Sequence, residues 1–358
     1  MEVEKCVSII IPSLSPDEKL LSLLGDLREA GFEHIVVVND GSDREYDPYF
    51  TKAKEKYRCT VLTHAVNQGK GRAMKTAFNY LLSECPDCEA AVAVDSDGQH
   101  RIHDIRRVAA ETLGNPQSLV LGCRDFSAKN VNIPPRSRFG NVTTSRVLRL
   151  FCGITLSDTQ TGLRGFSRET MRLFLKTKGE RFEYEMNMIL DARENGLSLR
   201  EVPIDTVYIE ENRTSHFNPL KDSLRIYAVF SKFILASLSS FAVDIGLYAL
   251  FLFLIALWQP TLVKEQAIVI ATVTARILSA LFNYSVNKSR VFHNHDKHGR
   301  TLWRYAVLCV CQMTLSAVGT SGLYALLKWN ATFLKLLVDC VLFVLSFRLQ
   351  RGWVFRKK

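Results

Sequence analysis

The last third of the chain sets the strongest limit on what it can fold into. Residues 233–258 form an apolar run with one charge, Asp244. That run is long enough to cross the ~30 Å hydrocarbon layer of a bilayer as a helix. Residues 267–287 follow with only Arg276, residues 305–327 carry no charge, and residues 331–349 hold Lys335 and Asp339. The pattern predicts about four membrane-spanning helices, over 233–258, 267–287, 305–327 and 331–349. Just ahead of them, residues 219–232 show basic and apolar faces at helical spacing, the signature of an interfacial amphipathic helix lying along a bilayer. Residues 1–218 mix charged and apolar side chains like a soluble domain. The overall 47% hydrophobic content averages over this division. The net charge of +10 owes much to basic residues flanking the apolar runs. No nucleic-acid motif or aromatic–basic interleaving accompanies it, so no nucleic-acid partner is expected.

Loop charge sets an orientation. The 287–304 connection holds Lys288, Arg290, Lys297, Arg300 and Arg304, and the tail holds Arg348, Arg351, Arg356, Lys357 and Lys358. The opposite loops offer chiefly Lys264 and Lys328. The positive-inside rule then places both termini and the soluble domain in the cytoplasm, on a multi-pass protein of the cell inner (cytoplasmic) membrane. An internal repeat is also present. Gly246-Leu247-Tyr248-Ala249-Leu250 recurs as Gly322-Leu323-Tyr324-Ala325-Leu326, and Val291-Phe292 recurs as Val354-Phe355 at the end of a second similar stretch. The membrane half therefore reads as two helical hairpins in the same orientation, and paired spans leave room for a homo-oligomer. Charges within a span usually pair, so Arg276 is expected to meet Asp244 or Asp339. A lipid-phosphate contact is the alternative.

In the soluble half no basic stretch and apolar core precede the first strand, at 7–11, so no signal peptide is expected. Nine cysteines lie without a framework, and Cys85 and Cys88 form a CxxC with no second pair at zinc spacing. They read as reduced thiols of a cytosolic domain. Strands are predicted at 7–11, 34–38, 60–63, 90–94, 118–122 and 207–209. Helices are expected over 19–30 and from the Gly69-Lys70-Gly71 turn through 82. Strand alternating with helix at this spacing is a doubly wound α/β pattern.

In open sheets of that kind, ligands bind beyond the carboxyl ends of the strands. The strand at 90–94 ends in Asp95-Ser96-Asp97-Gly98-Gln99-His100. Two carboxylates at i and i+2 with a nearby amide suit one hard divalent ion that keeps positions open for substrate phosphates; the plain alternative is an acidic loop capping the next helix. Asp40 also ends a strand. Lys70, between two glycines at a helix start, could meet a phosphate, although the segment is no Walker A loop; a simple turn is the other reading. Arg124 and Arg138 lie in loops, and arginine suits bidentate phosphate binding. A phosphomonoester is largely ionised at neutral pH, so such an acceptor hardly needs a general base. Residues 158–165 read as a polar, glycine-flanked segment unlike a core.

Taken together, Ile9-Ile10-Ile11-Pro12, Val38-Asn39-Asp40-Gly41-Ser42, Asn67-Gln68-Gly69-Lys70-Gly71 and Asp95-Ser96-Asp97-Gly98-Gln99-His100 resemble the successive motifs of family-2 glycosyltransferases with the GT-A fold. The nearest likeness is the polyprenyl-phosphate, or dolichol-phosphate mannosyltransferase-like, branch. Leu121-Gly122-Cys123-Arg124, Arg136-Ser137-Arg138, Asp158-Thr159-Gln160-Thr161-Gly162 and Phe182-Glu183-Tyr184-Glu185 continue it. The membrane half resembles the GtrA-like domain. The resemblance implies an α/β, mostly parallel cytosolic domain followed by an all-α membrane domain. It also implies inverting transfer of one sugar from a nucleotide sugar (UDP- or GDP-hexose) to polyprenyl phosphate, using Mg2+ or Mn2+. By matching position, Asp95, Asp97 and Gln99 would be metal ligands, with Asp95, Asp97 and Asp158 catalytic. Pro12, Asp40, Lys70 and Arg213 would bind the donor nucleotide, and Arg124, Ser137 and Arg138 the acceptor phosphate. The turn after the first strand, Pro12 to Glu18, lacks the tyrosine that the family sets against the base. Two other functions compete. One is a lipid-linked sugar flippase with a substrate-binding soluble domain. The other is a processive polysaccharide synthase, whose QxxRW motif is not found.

Overall fold

The computed structural model describes residues 3–124, 135–205, 228–258, 264–292 and 298–355. It divides into two units, Met1–Ile226 and Tyr227–Lys358.

The first unit is a seven-stranded sheet in the order β3-β2-β1-β4-β6-β5-β7. The strands are β1 (Val7–Ser13), β2 (His34–Asn39), β3 (Thr60–Thr63), β4 (Ala90–Ala93), β5 (Ser118–Arg124), β6 (Arg164–Ser167) and β7 (Ser198–Ile204). All neighbours run parallel except β6, which is antiparallel to both β4 and β5. After the single turn α1 (Val3–Cys6), helices α2 (Glu18–Glu29), α3 (Asp47–Glu55), α4 (Lys70–Glu84) and α5 (Ile102–Gly114) connect the parallel strands; α6 (Pro135–Val147), α7 (Arg168–Phe174) and α8 (Glu183–Glu194) follow β5 and β6.

Alternation along β1 shows how the sheet is covered. Ile10 points to the face packed by Met74, Phe78, Phe174 and Tyr184, while Ile9 and Ile11 point to the face packed by Leu20, Leu24, Phe50 and Ile105. Burial on both faces explains the unbroken apolar run. Each such side chain contributes about 1.5–3 kcal/mol by leaving water.

The first strand extends two residues past its expected end, through Pro12 to Ser13. Pairing with β4 stops at Ile10↔Ala93, so the missing N–H of Pro12 faces a place where the neighbouring strand has already finished. Two strands absent from the expected set, β6 and β7, complete the sheet. The strand expected at 207–209 lies outside the described residues. Segment 158–165 corrects its reading as non-core: Asp158, Leu163 and Arg164 are fully buried.

Among the described residues the second unit holds four α-helices, α9 (Ala228–Trp258), α10 (Lys264–Val286), α11 (His298–Leu327) and α12 (Ala331–Leu349). Among the described residues two stretches, Lys232–Trp258 and Gly299–Leu327, are long and apolar enough to cross a membrane, with mean hydropathies of 2.2 and 1.5. Residues 219–227 of the expected interfacial helix lie outside the described residues, and 228–232 belong to α9. Each hairpin ends in a π-helical turn, Asn287–Val291 and Gln350–Val354. The two turns meet: Asn287 donates to Gln350 Oε1 at 3.0 Å, and the rings of Phe292 and Phe355 stack with centroids 5.2 Å apart. These residues occupy equivalent places in the sequence repeat. Arg276 pairs with Asp244 at 3.3 Å, while Asp339 accepts from Ser316.

Candidate active site

The site is built where β1, β2, β4 and β5 run out. Two residues beyond β4, after the buried Val94, stands Asp95. Lys70, the first residue of α4, reaches it with Nζ 2.7 Å from Oδ1, and the same ammonium lies 2.9 Å from Glu185 Oε1 on α8. Burial alone would pull the Lys70 pKa down, but the charges of Asp95 and Glu185 reverse this and hold it above its ordinary value. Burial would likewise raise Asp95; Lys70 and His100 overcome it and hold that carboxyl well below the usual range. Asp97 goes the other way, raised by burial and by the charge of Asp95. Its Oδ1 accepts from Gln99 N at 3.0 Å, closing the turn that follows the strand. Gly162, at the entry to β6, packs against Asp95 so closely that a Cβ there would fall 2.0 Å from Oδ2.

One pocket collects Asp95, Gln99, His100, Arg124, Gln160, Thr161, Gly162 and Asp205. Arg124, the last residue of β5, is held by Asp158: Nε to Oδ2 at 2.7 Å and Nη2 to Oδ1 at 3.2 Å. Asp158 also accepts from Gln160 N, and its side chain is fully buried. The two residues expected to act separately are therefore one fork-to-carboxylate unit.

Asp40 is likewise occupied. Its Oδ1 lies 2.7 Å from His64 Nδ1 and 3.0 Å from Gln68 N, and its Oδ2 accepts from Gly69 N at 2.7 Å. These contacts fix the turn that presents Lys70. Gly69 sits at φ +104°, and a Cβ on it would strike Glu180 O at 2.5 Å, which explains the glycine. Pro12, on β1, lies beside the strand that leads to Asp40, paired with Val38. Arg138 is exposed on α6. Arg213 and the side chain of Ser137 lie outside the described residues.

Sequence reasoning assigned no role to His64 or Arg164, and it read His100 only as the last residue of the strand-end motif. His64 bridges Asp40 and the Thr76 hydroxyl, 2.9 Å away. Arg164 is entirely buried and donates to Thr161 O and Glu185 O, tying β6 to the helix that supplies Glu185. Only a polar residue at a strand end hinted at His64, and nothing marked Arg164.

A divalent cation fits the carboxylate turn. Asp95, Asp97 and Gln99 offer hard oxygens, the set that Mg2+ and Mn2+ prefer. Beside them the buried His100 Nε2, 3.8 Å from Asp95 Oδ2, has no hydrogen-bond partner among the described residues. A second group, His103, Asp104 and Asp205, the last of which also lines the pocket, brings three ligand atoms within 4.8 Å of one another, but Arg107 and Asp205 N already engage Asp104.

Comparison with known proteins gives two matches along the chain. Residues 8–174 match glycosyl transferase family 2, and residues 232–355 match the GtrA/DPMS transmembrane domain. An uncharacterized protein of Methanocaldococcus jannaschii is 30% identical over 206 residues, 57% of this chain and 82% of that one. A UDP-N-acetylglucosamine–dolichyl-phosphate N-acetylglucosaminyltransferase of Methanococcus voltae is 27% identical over 58% of this chain and 88% of its own. A dolichyl-phosphate beta-glucosyltransferase of Dictyostelium discoideum is 24% identical over 62% and 73%. With strand-end carboxylates, a forked arginine and apolar helices on one polypeptide, the chain belongs to the family-2 glycosyltransferases, of the kind related to dolichyl-phosphate transferases, and carries a GtrA/DPMS membrane domain.

Proposed function

We propose that the protein transfers a single sugar, with inversion, from a nucleotide sugar to polyprenyl phosphate at the cytoplasmic face of the membrane. The observation that carries this reading is the pocket itself. It is lined both by Asp95 and Gln99 of the carboxylate turn and by Arg124, whose guanidinium Asp158 holds, on a chain that also carries the membrane domain. Relatives named for dolichyl-phosphate acceptors support the acceptor class; because those relatives carry different sugars, the donor sugar is left open.

In this reading the acceptor is already an oxyanion, and what it needs is neutralisation. Arg124 supplies that charge. Asp158 acts as its holder, keeping the guanidinium aimed from beneath; with both oxygens engaged and no exposure it is not placed to take a proton. This revises the expectation that Asp158 is itself catalytic. Lys70 meets the donor diphosphate from the α4 terminus, where backbone N–H groups favour anions. Asp40 acts at one remove, by fixing the Gln68–Gly69 turn. Asp95, Asp97 and Gln99 would hold Mg2+ or Mn2+, which when bound supplies positive charge for the departing nucleoside diphosphate. The acceptor oxygen forms its bond to the anomeric carbon on the face opposite the one from which the diphosphate leaves, and inversion follows. The membrane unit keeps the polyprenyl substrate and the protein in one bilayer.

The test is transfer from radiolabelled UDP- and GDP-sugars to polyprenyl phosphate by the full chain in detergent. One organic-extractable monosaccharide lipid is expected, lost with EDTA and lost in Asp97→Ala. A polymeric product would instead mean a processive synthase. Absence of any transfer, with lipid phosphate still bound, would turn the reading toward a carrier.

A further inference from the structure

We infer that Lys70 is a resident counter-ion for the cation-binding turn, seated on Asp95 until a divalent ion and a nucleoside diphosphate displace it together. The inference rests on reading Asp95 and Asp97 as cation ligands. Lys70 Nζ lies 2.7 Å from Asp95 Oδ1, the oxygen a divalent ion would also need. Two cations on one carboxylate oxygen repel, so the ion and the ammonium cannot both sit well there.

The surroundings make the exchange one of side chain alone. The backbone of Lys70 is pinned on both sides. A Cβ on Gly69 would meet Glu180 O at 2.5 Å, and one on Gly71 would meet Tyr184 Cβ at 2.6 Å. The Asp40 carboxylate holds the turn from below through the N–H groups of Gln68 and Gly69. What can move is the four-carbon stem. Glu185 gives the ammonium a second seat, 2.9 Å away, when it leaves Asp95. Glu185 is itself held in register, since Arg164 donates to its backbone carbonyl at 2.6 Å.

A diphosphate that draws the ammonium off Asp95 opens that oxygen to the ion, so donor and cation bind with positive coupling. The arrangement also keeps the metal-free turn from holding three uncompensated carboxylates, Asp95, Asp97 and Glu185, in one partly buried place.

The experiment measures Mn2+ binding to the full-length protein in detergent, by the electron paramagnetic resonance signal of unbound Mn2+ and by calorimetry, without nucleotide. Lys70→Met should bind Mn2+ about tenfold more tightly than the unaltered protein, because one positive charge has left the site. Glu185→Gln should go the other way, about threefold weaker, because Lys70 then keeps only Asp95 as a carboxylate partner. The tightening of Mn2+ binding by UDP or GDP, corrected for chelation in solution, should shrink in Lys70→Met. Equal or weaker Mn2+ binding by a folded Lys70→Met overturns the inference. Should that variant fail to fold, unchanged or tighter binding by Glu185→Gln overturns it equally. Asp97→Asn separates this from the underlying reading: Mn2+ binding no stronger than in Asp97→Asn throughout would overturn both, whereas Asp97-dependent binding indifferent to Lys70 overturns only the counter-ion.

Discussion

The two units use the same apolar residues in opposite ways. In the first, Ile9, Ile10 and Ile11 are wholly hidden, whereas in the second Phe253 and Leu257 stand 65% and 64% exposed. Water drives the first arrangement, since each buried methylene is worth about 0.8 kcal/mol. Lipid tails offer no such drive between helices, so association in a bilayer depends on fit and on polar contacts. The polar contacts of the second unit are where that argument puts them: Arg276 on Asp244, Ser279 on Asp244, Ser316 on Asp339, and Asn287 on Gln350. Cohesion therefore sits in different atoms on the two sides of the chain.

The sharpest way to break this contrast is in the sheet domain. Phe166 packs edge-on to Phe78 and Phe174, with centroids 4.9 and 5.8 Å apart. Phe166→Ala should cost about 3–5 kcal/mol, read by denaturant unfolding of the soluble unit's signal. A cost below 1 kcal/mol would mean that the core is not what holds the sheet. In the membrane unit the matching change is polar. Asn287→Leu removes the cross-hairpin hydrogen bond and should cost about 1 kcal/mol, measured by unfolding in mixed detergent. Smallest of all is Phe253→Ala, expected within about 0.5 kcal/mol because its ring meets no protein core. A large loss there would show that this face is covered in the membrane by protein.

Much of the first unit was legible because its strands obey one rule. Short, mainly apolar or β-branched stretches ending in polar residues located β1 to β5, with ends wrong by at most two residues. The antiparallel β6 was not legible. Its four residues, Arg164-Gly165-Phe166-Ser167, include a charge and a glycine, and its burial comes from neighbours far along the chain. The edge strand β7 hid for the opposite reason, since it is mostly exposed. At the site, sequence showed which residues carry charge but not which of them pair. Arg124 with Asp158, and Lys70 with Asp95 and Glu185, are pairs between distant segments, and no spacing rule reveals them. The pairing of Arg276 was open between two aspartates, and the helix geometry chose Asp244.

The reversed direction of β6 has a consequence for how this protein can vary. Because that strand begins where its neighbours end, the short stretch 158–163 serves at once as pocket wall and as the lead-in to the middle of the sheet. Side chains alternate along a strand, so one added or lost residue in that lead-in would invert β6. Arg164 would turn out of the core, and Gly162 would leave Asp95. Insertions tolerated in ordinary surface loops should therefore be rare between Asp158 and Arg164 among active variants, and a library of single-residue insertions scored for folding would map that stretch as a ruler of fixed length.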